Sequence, residues 1–226
     1  MSISLGVLLS GSGTNLQSII DRIEEKSLDA RIETVVSNRT DAYGLQRAKN
    51  HGIDNRVLEN KDYESRDEQE QAVLEVLQER GVQAVILAGY MRLLGKRLIR
   101  AYPGNILNIH PSLLPSFKGT QAQKQAAQFG VRISGATVHF VDEYLDNGPI
   151  IIQGAVPAFP GGREEELASR ILDIEHRIYP QAIQWLSRER LQINNGHVDL
   201  IPKTDSVEHE PCGGNCLINP PLEKGF

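Results

Sequence analysis

Apolar runs and amphipathic stretches alternate along the first half of this chain. Residues 3–9 form an apolar run interrupted only by Ser4 and Gly6, which predicts a strand. Over residues 16–25, Leu16, Ile19, Ile20 and Ile23 recur at helical spacing and share one face. Residues 32–36 predict a second strand, 42–51 a helix, and 55–58 a short third strand. A polar segment leads into a long helix over 67–80, with Gly81 as its stop signal. Residues 84–88 and 106–110 are the fourth and fifth strands, separated by a short helix over 96–101. Strand–helix alternation of this kind predicts an α/β chain: a Rossmann-like open sheet, mostly parallel, with helices on both faces.

The second half changes character. After a helix over 121–129, two strands (133–141 and 149–156) follow with no helix between them, which predicts a mixed extension of the sheet. A long helix over 164–188 carries acidic residues in its first turn, where the helix dipole favours them. Residues 191–201 read as a hairpin turning at Asn195-Gly196. From Pro202 the chain becomes polar and rich in Pro and Gly, so the expected organisation is one domain over 1–201 and a C-terminal tail over 202–226. No internal repeat is visible.

Composition narrows the class. The chain has 226 residues, 40% of them hydrophobic and 23% charged, as in ordinary globular proteins. A net charge of −5 argues against nucleic acid as partner, although a local phosphate cradle needs no basic protein. No run approaches a membrane span, and the N-terminus lacks the positive region of a signal peptide. The only cysteines, Cys212 and Cys216, lie near the C-terminus, so no disulfide framework supports the core. The expectation is a cytoplasmic enzyme, monomeric or homodimeric, acting on small molecules without a metal.

Three places carry candidate chemistry. Ser10-Gly11-Ser12-Gly13-Thr14-Asn15 joins the first strand to the first helix. Thr14 or Asn15 can cap that helix, and its first amides can hold a phosphate; equally, the segment can be a tight, well-capped turn. Asn108 and His110 alternate with Leu107 and Ile109 at the end of the fifth strand, so the amide and imidazole share a face. Ligands bind at such strand ends in open α/β sheets, whereas the bland alternative is a structural amide and a satisfied core histidine. Asp146, in Leu-Asp-Asn-Gly-Pro, is either turn chemistry or a carboxylate that favours the charged form of His110. Thr137 and His139 share a face in the 133–141 strand, His139 in a supporting role. An Asn, a His and an Asp are the parts needed to hold an oxyanion and move one proton.

With these residues in view, the chain resembles the phosphoribosylglycinamide formyltransferase family of purine biosynthesis, from the first strand to about Ile201. The resemblance rests on the 10–17 segment, Leu87-Ala88-Gly89-Tyr90-Met91-Arg92, residues 108–115, 135–141 and 145–151, and Glu175-His176-Arg177-Ile178-Tyr179-Pro180. It implies formyl transfer from 10-formyltetrahydrofolate to the amine of glycinamide ribonucleotide. It further implies that Gly13, Thr14 and Asn15 hold the phosphate and Glu175 contacts the ribose. Arg66, Met91, Arg92, Leu93, Leu94 and Asn108 match folate-binding positions, with Ile99 and Val141 as walls. Asn108, His110 and Asp146 are the implied catalytic set. Gln121 stands where relatives often carry a histidine, and Tyr90 where Phe is common. Formyltetrahydrofolate deformylase, methionyl-tRNA formyltransferase and a noncatalytic phosphosugar or folate binder are the competing readings. The second would want a basic tRNA-binding domain, and the third would tolerate loss of His110 or Asp146.

Overall fold

The structure, a computed structural model, describes residues 2–159, 161–202 and 216–226. Two compact units divide it: one runs up to Asn108 and takes in Val141–Glu143, and the other comprises Ile109–Phe140 and the described residues from Tyr144 onward.

In the first unit the elements are β1 (Ile3–Leu9), α1 (Thr14–Glu24), β2 (Ala30–Ser37), α2 (Tyr43–Asn50), β3 (Asn55–Val57), α3 (Arg66–Glu79), β4 (Ala84–Leu87), α4 (Lys96–Ala101) and the start of β5 (Ile106–His110). Every pairing is parallel, in the order β3-β2-β1-β4-β5. This is the Rossmann-like sheet expected from the alternating pattern. The order reverses between β1 and β4, and ligands of such sheets bind beyond the carboxyl ends of the strands at that reversal. Beneath it lies a core in which Leu8, Leu77, Val85 and Leu98 are fully buried. Each such leucine contributes about 1.5–3 kcal/mol by leaving water. Gly81, the expected stop, follows α3 at φ 64°, and Ser65 caps the helix at its start by accepting the Glu68 amide.

The second unit comprises α5 (Ala122–Phe129), β6 (Ile133–Phe140), β7 (Ile150–Pro157), α6 (Glu164–Ser187), β8 (Leu191–Asn194), β9 (His197–Leu200) and β10 (Leu217–Asn219). Here pairing is antiparallel, in the order β10-β7-β6, with β8 and β9 as a separate hairpin. Asn195 and Gly196 turn that hairpin at φ 50° and 80°, as an Asn-Gly pair favours. The long helix α6 packs on β6 and β7 and begins with Glu164, Glu165 and Glu166. It approaches so closely that a Cβ on Gly154 of β7 would lie 2.2 Å from Ile174 Cγ2.

The expected tail ends differently. Cys212 lies outside the described residues, but Leu217–Asn219 pair with β7 as an edge strand, Ile218 opposite Gly154. Ile218, Leu222, Glu223 and Phe226 are buried. Glu223 forms an ion pair with Arg190 and accepts a hydrogen bond from Trp185 Nε1 at 3.1 Å, and its own amide donates to Gln181 Oε1 at 2.7 Å. A three-residue strand followed by Pro220-Pro221 has too little apolar periodicity to stand out in the sequence, which is why it reads as tail.

Candidate functional site

The 10–15 segment begins where β1 ends. Gly13 occupies the N-cap of α1 at φ 69°, and no side chain caps the helix, so the expected Thr14 or Asn15 cap gives way to a glycine cap one position earlier. The left-handed conformation is cheap only for glycine. Space forbids anything larger too: a Cβ at Gly13 would sit 2.5 Å from Gly44 Cα in α2. The first amides of a helix have no carbonyl partner within it, and their dipoles favour an anion. Arg47 of α2 lies against this turn, donating from Nε to the Ser12 carbonyl at 3.0 Å and from a terminal nitrogen to Gln17 Oε1 at 3.1 Å. No local motif marks it, because it is 35 residues away.

Beyond β4 a small open cleft is lined by Arg66, Gln69, Glu70, Val73, Tyr90, Arg92, Leu93, Leu94 and Leu98. Four expected folate residues, Arg66, Arg92, Leu93 and Leu94, are therefore together. Arg66 donates to the Leu93 carbonyl, tying α3 to the β4 loop. Met91 is well exposed, and Ile99 and Val141 pack on the core cluster rather than line the cleft. The sequence reading missed Gln69, Glu70 and Val73, although Arg66, Gln69, Glu70 and Val73 have the i, i+3, i+4, i+7 spacing of one helix face. Glu70 is buried and accepts the Leu98 amide at 2.8 Å, closing the start of α4. Burial holds the Tyr90 phenol above its ordinary pKa, with the Arg92 charge acting weakly in the other direction.

Asn108 is half-buried in β5 opposite Leu87 of β4. In the second unit, His110 and Asp146 meet. His110 Nδ1 lies 3.4 Å from Asp146 Oδ2, with both side chains under a tenth exposed. His110 Nε2 is 2.8 Å from the Phe117 carbonyl. A carbonyl only accepts, so Nε2 carries a proton and donates. The Gly119 amide donates to Asp146 Oδ2 at 2.8 Å, so the 117–119 turn holds both partners through its backbone. Phe117, Gly119 and Asp146 all have positive φ, at 50°, 87° and 45°. Such a constellation in non-glycine residues costs free energy and persists only where surroundings enforce it.

His139 flanks the other carboxylate oxygen: its Nε2 lies 3.9 Å from Asp146 Oδ1, and its Nδ1 donates to the Phe140 carbonyl at 2.8 Å. Thr137, on the same face of β6, donates to the Ser112 carbonyl at 2.7 Å and accepts the Leu114 amide at 3.1 Å. It thereby anchors the turn that follows His110. Glu175 is buried on α6. Gln121 precedes α5 with no side-chain capping bond. Among the described residues, no group of three or more His, Cys, Asp or Glu side chains could hold a metal ion, and no helix is long and apolar enough to cross a membrane.

Residues 4–183 match the family model described as formyl transferase. Of curated relatives, phosphoribosylglycinamide formyltransferase of Haemophilus influenzae is 41% identical over 191 residues, which is 84% of this chain and 90% of that protein. The trifunctional purine biosynthetic protein adenosine-3 of Gallus gallus is 44% identical over 191 residues, but the match spans only 19% of its length. A crystal structure of glycinamide ribonucleotide transformylase 1 from Symbiobacterium toebii superposes with a TM-score of 0.87 at 49% identity, covering 89% of this chain and 95% of that one.

Proposed function

The chain belongs to the formyl transferase family, and from that premise we propose that it is a phosphoribosylglycinamide formyltransferase. It moves the formyl group of 10-formyltetrahydrofolate to the primary amine of glycinamide ribonucleotide, a step of purine biosynthesis. The observation that carries the reading is the buried His110–Asp146 pair, in a chain whose similar-length relative bears that name.

The residues fit both substrates. The glycine-capped turn at the start of α1, with Arg47 beside it, suits a phosphate; Gly13, Thr14 and Asn15 supply backbone and side-chain donors, and Glu175 supplies an acceptor for ribose hydroxyls. The cleft beyond β4 combines leucine walls with the Arg66 and Arg92 cations, which suits a flat heterocycle and an anionic tail. Met91, exposed beside the cleft, offers its backbone to the folate, whereas Val141 acts from behind, in the core on which Tyr90 and Leu94 also pack.

Attack of the amine on the formyl carbon places negative charge on the formyl oxygen. Asn108 donates its amide to that oxyanion, and protonated His110 stabilises it as a cation. Losing one such donor costs on the order of 10²–10³ in rate. Asp146 favours the charged imidazole and relays the amine proton toward the departing folate nitrogen. For His110 to reach the oxyanion through Nε2, it must exchange the Phe117 carbonyl for substrate, while Asp146 keeps the ring oriented through Nδ1. Holding amine and formyl carbon in contact supplies much of the remaining acceleration.

Release of tetrahydrofolate from 10-formyltetrahydrofolate, measured with and without glycinamide ribonucleotide, tests the proposal. Strict dependence on the ribonucleotide is the expected result. Release without it would make the chain a deformylase, and binding of both ligands without release would make it a noncatalytic relative.

A further inference from the structure

Ser10 directly follows β1 at the point where the sheet order reverses, and beyond it the candidate ribonucleotide loop and the candidate folate loop part. Its amide donates to the Gly89 carbonyl at 3.0 Å, prolonging the β1–β4 ladder by one bond. Its hydroxyl does two further things. It accepts the Met91 amide at 2.9 Å, and it donates to Asn38 Oδ1 at 2.5 Å, just past the end of β2. One side chain, 6% exposed, therefore joins the loops that follow three neighbouring parallel strands. The hydroxyl's single proton is committed to Asn38, and water has little access to replace it.

The position of this junction matters because of what lies on either side. Gly11 and Ser12, directly after it, are exposed; the Ser12 carbonyl accepts from Arg47 and the Gly11 carbonyl from the Gly44 amide. Met91 is exposed as well and begins the backbone run into Leu93 and Leu94 of the cleft. Ser10 is thus the rigid point shared by two otherwise exposed segments.

We propose that Ser10 is a positioning residue that couples the two substrate sites, so that each substrate tightens the other. The inference rests on the formyltransferase reading above. A phosphate bound at the turn fixes residues 11–15 relative to Ser10. Through the hydroxyl, that fixes the Met91 amide and the strand end that bears it. The second ligand then has less chain freedom left to remove, which is cooperativity without a change of shape. Coupling of this kind is reciprocal, and each ligand must raise the other's affinity by the same factor.

Calorimetric binding of glycinamide ribonucleotide and of tetrahydrofolate, which has no formyl group to transfer, measures that factor directly. In the wild-type protein each ligand should tighten the other by about fivefold or more, at the lower end of typical coupling. In Ser10→Ala the factor should fall to about one, while each ligand alone binds within about threefold of wild type, since no ligand contact is removed. A variant that keeps the wild-type factor overturns the proposal, as does one that loses both affinities with the factor unchanged; Ser10 would then be structural only. Wild-type factors of one also overturn it. Failure to bind either ligand would instead sink the formyltransferase reading itself. If Ser10→Ala does not fold, hydrogen exchange in the wild type decides. Ribonucleotide alone should slow exchange of the Met91 amide, and an unchanged rate overturns the proposal.

Discussion

The turn after β1, in the first unit, offers a ligand backbone groups, while the His110–Asp146 pair, in the second, offers buried side chains. The turn after β1 works through amides whose directions are set by Gly13 at φ 69°, packed where a Cβ of its own would lie 2.5 Å from Gly44 Cα. The His110–Asp146 pair works through an imidazole and a carboxylate, with the 117–119 backbone as bracket. The two arrangements should fail differently. A backbone site breaks when a side chain is added where the backbone or its neighbours leave no room for one, whatever its chemistry. A side-chain site breaks when one functional group is exchanged, even at constant volume. Binding should therefore suffer at the turn and turnover at the pair.

The largest expected effect is on turnover. Asp146→Asn keeps the shape of the side chain and an oxygen for the Gly119 amide, yet removes the charge facing His110. Turnover should fall on the order of 10²–10³ or more, with KM for the ribonucleotide within about threefold of wild type. His110→Ala should do the same. Steady-state kinetics checks both, and a rise in KM at constant kcat would erase the contrast between the units.

Gly13→Ala is the opposite experiment. The added methyl needs a left-handed backbone that costs about 1–2 kcal/mol and meets Gly44 Cα at 2.5 Å. We expect KM for the ribonucleotide to rise roughly 30-fold, the equivalent of about 2 kcal/mol, with folate affinity unchanged. Gly11→Ala, where a Cβ meets nothing within 4 Å, should bind within about twofold of wild type. Near-wild-type binding in both variants would show that the loop tolerates side chains and that its amides are not the binding groups.

Buried charge in the second unit also serves stability. Glu223→Gln leaves Arg190 without its carboxylate partner in a site where both side chains are about a tenth exposed or less. Loss of about 2 kcal/mol, at the mild end for a broken buried pair because Gln still accepts from Trp185, should lower Tm by about 4–8 °C. Activity at 25 °C should persist. An unchanged Tm would mean that the strand pairing of Leu217–Asn219, not the ion pair, holds the C-terminal segment.

The same contrast explains what could be read in the sequence. Parallel strands buried on both faces leave continuous apolar runs, so β1, β2, β4 and β5 were visible within a residue or two. Asn195-Gly196 and Gly81 announced their turns because left-handed backbone needs such residues. His110 and Asp146 were expected together, and they are. The supporting groups left no such trace. The Phe117 carbonyl and Gly119 amide are backbone, which every residue has, and nothing local singles them out. Ser10 and Met91 bond across 81 positions, and Arg47 reaches back 35 to Ser12. The division at Asn108 falls inside the unbroken strand β5, where no break in composition marks it. β10 was hidden by its length, since three residues show no period.

The smallest effect tests whether a polar side chain in the first unit contributes at all. Tyr90 lines the cleft, and burial raises its phenol pKa, with Arg92 opposing. With a folded pKa above the unfolded one, the neutral phenol's contribution is complete below the unfolded value of about 10 and is lost as pH rises toward the folded value. Above about pH 10 the unfolded chain gains stability by ionising first, so Tm should decline there. Tyr63 and Tyr102 are raised by burial as well and contribute to the same limb. Tyr90→Phe should therefore leave Tm at pH 7 almost unchanged and make the alkaline decline shallower without abolishing it. Thermal melts across that range check the sign. A steeper decline in the variant would mean that the Tyr90 hydroxyl is stabilised as the anion by Arg92, and that charge rather than burial governs this wall of the cleft.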